Sequence, residues 1–267
     1  MKLHLAAALL GSLLCASGWA ADAPFAWPNG ARAAVSLGYD DSLDSQLDNA
    51  IPALNRHGLH GTFYLQLSNP AVDKRLAEWR AAAQKGHELG NHTLFHQCSH
   101  SKKDREWVQP HRDLDTTTVA QMKDQIELGN TMLYAIDGRR ERTLTTPCGD
   151  LQAQDGNYLP AVQAQFLGIK AGTGQAVAPS MATLDTQAVP VAAPSGLTGQ
   201  QLIDIVKQAA ERGTMVNFTF HGIGGDYLTI SKEAHEELVA YLAANRKTYW
   251  TDTFLNIMKH VRKVRAK

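Results

Sequence analysis

Short apolar, β-rich runs alternate along this chain with longer stretches in which apolar residues return every three to four positions. The first pattern reads as buried strands and the second as amphipathic helices, so the chain spells βα units around a largely parallel sheet. The predicted strands are Ala33–Leu37, Thr62–Leu65, His87–His92, Thr143–Thr146, Leu167–Lys170, Val189–Ala192 and Met215–Phe220. Seven such strands fit a barrel better than a small open sheet. Leu43, Leu47, Ile51 and Leu54 predict a helix after the first strand, although Pro52 falls inside it. Val72, Leu76, Trp79 and Ala83 mark a second helix. Val119, Met122, Ile126 and Leu133 stripe a long third that follows the hydroxyl-rich Thr116–Thr118, a capping region. Leu202, Ile205, Val206 and Ala209 stripe another, and Ser231 to Asn245 follows the same logic, with Ser231 as N-cap and Glu233 in the positive first turn. Polar Gln97–Asp115 and the Gly/Ala/Pro-rich Gly172–Ser195 carry no such period, and long loops of this kind tend to be functional edges.

The N-terminus follows a different pattern. Residues 1–20 combine Lys2, an apolar run from Leu5 to Leu14 and the small residues Gly18 and Ala20 around Trp19, the layout of a cleaved secretory signal. The run is shorter than the ~20 apolar residues that cross a bilayer, and Leu14 stands where lipidation of Cys15 needs a small residue. A mature chain of residues 21–267 is therefore expected, exported to the bacterial periplasm or secreted, with no stable membrane anchor. It keeps 25 Lys and Arg against 26 Asp and Glu, a balance that leaves no electrostatic footprint for nucleic acid. Apolar residues make up 44% of the full chain, enough for a single domain, since α/β barrels reach ~250 residues around one core.

Three groups of residues can do chemistry at the strand ends. Asp40 and Asp41 follow the first strand and the Gly38–Tyr39 pair. In a parallel barrel the C-terminal strand ends converge on the active site, and adjacent carboxylates point differently, so one can bind a metal while the other takes a proton from water. Read alone, Asp41–Ser42 equally suits a helix cap. His92 and His96 close the segment that runs from Gly90, and their spacing places both imidazoles on one face of a helical turn, as zinc ligands commonly require. His221 ends the last predicted strand and is followed by Gly222-Ile223-Gly224-Gly225, which leaves room for a ligand, and it is the natural general acid. His57, His60, His235 and His260 read as structural or solvated. His87 reads as buried toward the opposite barrel end, while His100 and His111 lie in the long loop within reach of a substrate.

Taken together, Gly38-Tyr39-Asp40-Asp41, Gly86-His87-Glu88-Leu89-Gly90-Asn91-His92-Thr93-Leu94-Phe95-His96, Thr145-Thr146-Pro147-Cys148-Gly149 and Thr219-Phe220-His221 resemble the ordered motifs of the polysaccharide deacetylases, carbohydrate esterase family four. The resemblance implies an α/β fold, a distorted (β/α) barrel of about seven parallel strands in a single domain. It implies that Asp41, His92 and His96 hold one divalent metal ion, that Asp40 is the base and His221 the acid, and that the Cys148 backbone amide belongs to the oxyanion site. It further implies an N- or O-acetylated carbohydrate as substrate. Two imidazoles and a carboxylate favour Zn2+, with Co2+, Ni2+ and Mn2+ as competitors, and leave positions open for water and the acyl oxygen.

The chain departs from the family pattern in three places. Thr145 stands where the family has an arginine that orients the base, no Asp/Trp-containing fourth motif is found near Gly168–Gly174, and Thr219 replaces a usual leucine. In the strand Phe166–Lys170, Lys170 shares the interior side with Phe166 and Gly168 and lies at the C-terminal end. Lys170 is therefore expected to approach Asp40 or the substrate, the alternative being a lysine that reaches to solvent at the rim. Cys98 and Cys148, which remain after signal removal, flank the second and third motifs and are expected to form a disulfide in an exported protein. The degraded motifs keep two other readings open, a catalytically weak carbohydrate-binding protein and a hydrolase of small amides or imides.

Overall fold

The computed structural model describes residues 25–171 and 174–266, so the expected signal, with Lys2 and Cys15, lies outside the described residues. Strands β1 (Ala33–Asp40), β2 (Thr62–Leu65), β3 (Glu88–Asn91) and β4 (Arg142–Thr145) are followed by a small hairpin of β5 (Gln152–Ala153) and β6 (Gly156–Asn157), then by β7 (Phe166–Lys170), β8 (Met215–Phe220) and β9 (Tyr249–Asp252). The main sheet runs β7-β4-β3-β2-β1-β8, with β9 added along the first half of β1, and every pairing is parallel. All eight residues of β1 are buried, as expected of a strand covered on both faces. The sheet curls into a partial barrel, a single-domain α/β fold of the expected kind.

The seven-strand count stands, with one member exchanged. Val189–Ala192 is not a strand: it bridges β7 at Lys170 and β8 at Phe218, through Val189 N donating to Ile169 O (2.9 Å) and Thr219 N donating to Ala192 O (2.9 Å). The segment thus stitches the two sheet edges together. Pro190 within it has no N–H to give a ladder, which is why the apolar run does not extend into one. Tyr249–Asp252 takes the seventh place.

The helices cover the outside of the sheet: α1 (Ile51–Arg56), α2 (Pro70–Lys74), α3 (Leu76–Gln84), α4 (Val119–Asp137), α5 (Leu159–Val162), α6 (Gly199–Arg212), α7 (Lys232–Ala244) and α8 (Phe254–Arg265). Pro52 is accommodated because α1 begins at Ile51, after a π turn over Gln46–Ala50, so the proline sits where a helix has no N–H to lose. Thr118 and Thr198 each form a capping box, with Gln121 and Gln201, and Gly138 and Gly213 end those helices with φ near 70°. Leu37, Phe63, Leu89 and Phe218 meet Leu54, Trp79, Val206 and Leu242 in the main core, and burial of each such side chain stabilises the fold by roughly 1.5–3 kcal/mol.

The register sets the rows of the barrel interior. Gly38, Thr62 and Glu88 lie side by side across β1, β2 and β3, and Asp40, Tyr64 and Gly90 form the next row toward the C-terminal ends. Residues two apart on a strand share a face, so both rows point the same way.

Candidate active site

Asp40 ends β1, and the chain then turns through Asp41 (φ 78°) and Ser42 (φ 61°), a left-handed pair that non-glycine residues adopt only where surroundings impose it. Gln46 imposes it from inside: its Nε2 donates to Asp40 O (2.5 Å) and to His221 O (3.2 Å), locking the ends of β1 and β8 together. Asn69 Nδ2 donates to Asp41 O at 2.8 Å. Neither Asp41 nor Ser42 caps a helix, which removes that reading of the pair.

His92 and His96 do not sit on a helical turn. Asn91 Oδ1 accepts from Thr93 N (2.8 Å) and Thr93 Oγ1 accepts from His96 N (3.0 Å), so side chains take the amide hydrogens that a helix would assign to its own carbonyls. Thr93 and His96 both have positive φ, 63° and 55°. The tight loop still brings the rings to 4.8 Å between centroids. His92 Nδ1 donates to Thr145 O at 2.8 Å, so Nε2 is the nitrogen that carries a lone pair when the ring is neutral. That Nε2 and the Nε2 of His96 each stand 3.1 Å from the same oxygen, Asp41 Oδ1, which has no hydrogen-bond partner among the described residues. Two imidazole nitrogens converging on a buried carboxylate oxygen can hold a cation once both rings are neutral, and these three residues are a set whose ligand atoms lie within 4.8 Å of one another. The donor set fits a divalent transition ion of the zinc type.

Charge in the site is concentrated and dry. Burial would raise Asp41, but His92 and His96 hold it well below the usual carboxylate range. Burial likewise opposes the His92 cation, and Asp40 and Asp41 overcome it, lifting the imidazole to about 9. Asp40 goes the other way: burial raises it, and the nearby His92, Lys170 and His221 only partly offset that. Its Oδ1 has no hydrogen-bond partner among the described residues, and its Oδ2 lies 3.8 Å from His92 Nε2.

All seven residues singled out from the sequence, Asp40, Asp41, His92, His96, Cys148, Lys170 and His221, line one cleft of about 920 Å³. His221 Nε2 is 3.7 Å from Asp41 Oδ2, and its Nδ1 has no partner among the described residues. Cys148 lies in the turn Pro147–Gly149 with φ 57°, and Lys170 is buried rather than at the rim. Sequence reasoning missed Gln46 and Tyr227, whose hydroxyl donates to Asp41 Oδ2 at 2.8 Å from a loop six residues past His221. No local pattern marks either residue, since both act across the fold.

Cys98 and Cys148 are joined by a disulfide across 50 residues, with Cα atoms 5.8 Å apart, and it ties the His96 loop to the Cys148 turn. A protein of residues 21–267, denatured without reductant, is expected to yield no titratable thiol and, after reduction, two. Reduction should lower stability by roughly 4 kcal/mol in the chain-entropy account. Two free thiols before reduction would show that the bond does not form.

A sequence model of the polysaccharide deacetylase family matches residues 28–166, the part of the chain that carries Asp40, Asp41, His92, His96 and Cys148. The chain belongs to this family. Among solved structures, it is similar to the carbohydrate esterase domain of a multidomain xylanase from the hindgut metagenome of Trinervitermes trinervoides, at 16% identity and a TM-score of 0.53, over 84% of this chain and 89% of that one. It is similar to a family 4 acetyl xylan esterase from Clostridium thermocellum solved with a cobalt ion, at 17% identity and 0.52, over 84% and 90%. It also resembles a mutant of a family 4 pseudoenzyme from Bacillus anthracis, at 14% and 0.52, over 84% and 67%. These likenesses establish the deacetylase fold. Comparison with curated protein sequences finds no match.

Proposed function

We propose that the protein is an exported, metal-dependent deacetylase of an N- or O-acetylated carbohydrate. The observation that carries this reading is the convergence of His92 Nε2 and His96 Nε2 on Asp41 Oδ1, beside Asp40, whose Oδ1 has no hydrogen-bond partner among the described residues. Asp41, His92 and His96 would hold the ion, which supplies Lewis acidity toward water and the acyl oxygen when bound. Asp40, raised by burial, accepts the proton of the attacking water. The Cys148 amide lies in the turn that faces the cleft and would stabilise the developing oxyanion, a type of donor whose loss costs about 10²–10³ in turnover elsewhere. His221 protonates the departing sugar nitrogen or oxygen. Trp107 and Tyr227, each about half exposed on the cleft, offer aromatic faces for the apolar side of a pyranose ring.

A second reading, a carbohydrate-binding protein with little turnover, is favoured by His221 Nδ1 having no hydrogen-bond partner among the described residues, so that no group holds the acid from that side. The experiment separates them. Acetate release is measured from acetylated xylan, chitooligosaccharides and small amides, with the protein loaded with zinc, cobalt, nickel or manganese and again after chelation. Metal-dependent release from a carbohydrate is expected. Binding without release would assign the second reading, and release from the small amides alone would assign a different hydrolase.

A further inference from the structure

Beneath Asp40 the barrel interior holds a second set of charges for which the mechanism above has no use. Lys170 is 1% exposed, and its Nζ donates to Phe218 O (3.0 Å) and Thr219 Oγ1 (3.4 Å) while standing 4.9 Å from the centre of the Tyr64 ring. A Cβ on Gly38 would fall 2.1 Å from this Nζ. The side chain therefore crosses the interior from β7 and rests its ammonium on β1 at a position that only glycine leaves open. Gly38 and Asp40 are two residues apart on the same face of β1, so the ammonium lies one row below the base.

The same row contains Glu88, two strands away across Thr62. Its carboxylate is 2% exposed and accepts from Thr62 Oγ1 (2.8 Å), Leu255 N (2.9 Å) and Thr143 Oγ1. Among the described residues no Lys or Arg nitrogen comes within 4.0 Å of Asp40 or Glu88. The Lys170 ammonium thus acts on the two buried carboxylates of adjoining rows through space rather than by direct contact, and an ionised carboxylate in a dry interior needs such a neighbour. Thr145 pairs with Lys170 across β4 and β7, and Thr219 holds its head group. Gly38 and Thr219 therefore both meet the ammonium, while Thr145 stands beside the backbone of Lys170.

We infer that Lys170 is the positioning residue for Asp40, admitted by Gly38 and oriented by Thr219, and that Glu88 is the opposite anchor that keeps the ammonium in the barrel. The inference rests on the deacetylase reading. Burial lowers the Lys170 ammonium to about 8, and Asp40 and Glu88 both pull the other way, in keeping with an ammonium shared between them.

The test combines Lys170→Met, Glu88→Gln and the double variant, with kcat, KM and bound metal measured for each. Lys170→Met is expected to keep KM and metal and to lose at least about tenfold in kcat. Glu88→Gln should lower kcat several-fold in the parental background and not at all in the Lys170→Met background, because its effect runs through the ammonium. Parental kcat in Lys170→Met, or a Glu88→Gln effect that persists undiminished without Lys170, would overturn the inference. Should Lys170→Met not fold, Thr219→Val takes its place: it removes only the hydroxyl, kcat should fall at unchanged KM, and a parental kcat refutes the assignment. A parent that deacetylates no carbohydrate sinks the deacetylase reading instead. The charge arrangement is then decided by NMR titration of ε-13C-labelled lysine, in which Lys170 should titrate below the other lysines and lower still in Glu88→Gln. Identical titration of Lys170 in the two proteins would refute it.

Discussion

Replacing His92 and His96 together by alanine is expected to take bound metal from one ion per chain to a trace, and turnover down by at least about 10⁴-fold, or ~5.5 kcal/mol in the barrier. Both imidazoles address the same oxygen of Asp41, at 3.1 Å each, so removing them leaves a buried carboxylate supported through its other oxygen, by the Tyr227 hydroxyl and by His221 Nε2 at 3.7 Å. Neither ring carries the fold: His96 lies in a loop, and the single hydrogen bond lost from His92 runs to the Thr145 carbonyl. Stability gives a second readout. An ion at a hundred times its Kd stabilises a folded chain by about 2.7 kcal/mol, which for a domain of this size raises Tm by roughly 5–10 °C. Added zinc should produce that rise in the parent and none in the double variant. The proton competes for the same nitrogen: His92, lifted to about 9 by its carboxylate neighbours against the opposing effect of burial, must be neutral to bind metal. Apparent affinity should therefore fall as pH drops below that value, by up to about tenfold per unit. Full metal content in the double variant would place the ion elsewhere.

What could be read from the sequence divides along physical lines. β2 and β8 carry the boundaries that their apolar runs mark, because a strand buried on both faces has no reason to interrupt its run. The cappings at Thr118 and Ser231 were equally local, each a hydroxyl accepting from the third residue on. The His-x-x-x-His spacing misled because a helical turn and a side-chain-bonded loop can both bring residues four apart together, and only Asn91 and Thr93 decide between them. Val189–Ala192 has the composition of a strand and lacks one amide at Pro190. Tyr249–Asp252 escaped notice because it is short, half-buried and polar in its second half. Of the seven candidate residues that line the cleft, Asp40, Asp41, His92, Lys170 and His221 were legible as groups of distinctive chemistry at or next to strand ends, His96 through its spacing from His92, and Cys148 through the family resemblance. Gln46, Tyr227 and Glu88 were not, since what each does depends on partners from other strands and loops.

Replacing Asp40 by asparagine is expected to separate chemistry from everything else in the site. The carboxamide has the shape of the carboxylate, and Gln46 holds the main-chain oxygen of residue 40 rather than its side chain, so the turn at the end of β1 should survive. Asp41, His92 and His96 are untouched and should bind one ion as in the parent. Turnover should fall by about 10²–10⁴-fold at little change in KM, the usual loss when a positioned proton acceptor disappears. Stability should move the opposite way. Asp40 is a carboxylate raised by burial, so in the metal-free protein the folded state holds its proton to higher pH than the unfolded state does. Where the folded state binds more protons, stability falls as pH rises, here from the ordinary aspartate range of about 3.9 up to the raised value. At neutral pH the parent therefore bears the cost of a buried charge that the amide avoids. The metal-free Asp40→Asn protein should melt no lower than the metal-free parent, and its Tm should lose the part of the parent's decline with rising pH that Asp40 causes. Parental turnover in this variant would assign proton removal to another group, and early melting or lost metal would make Asp40 a structural residue. A slow, stable, metal-replete protein is the outcome that identifies the base.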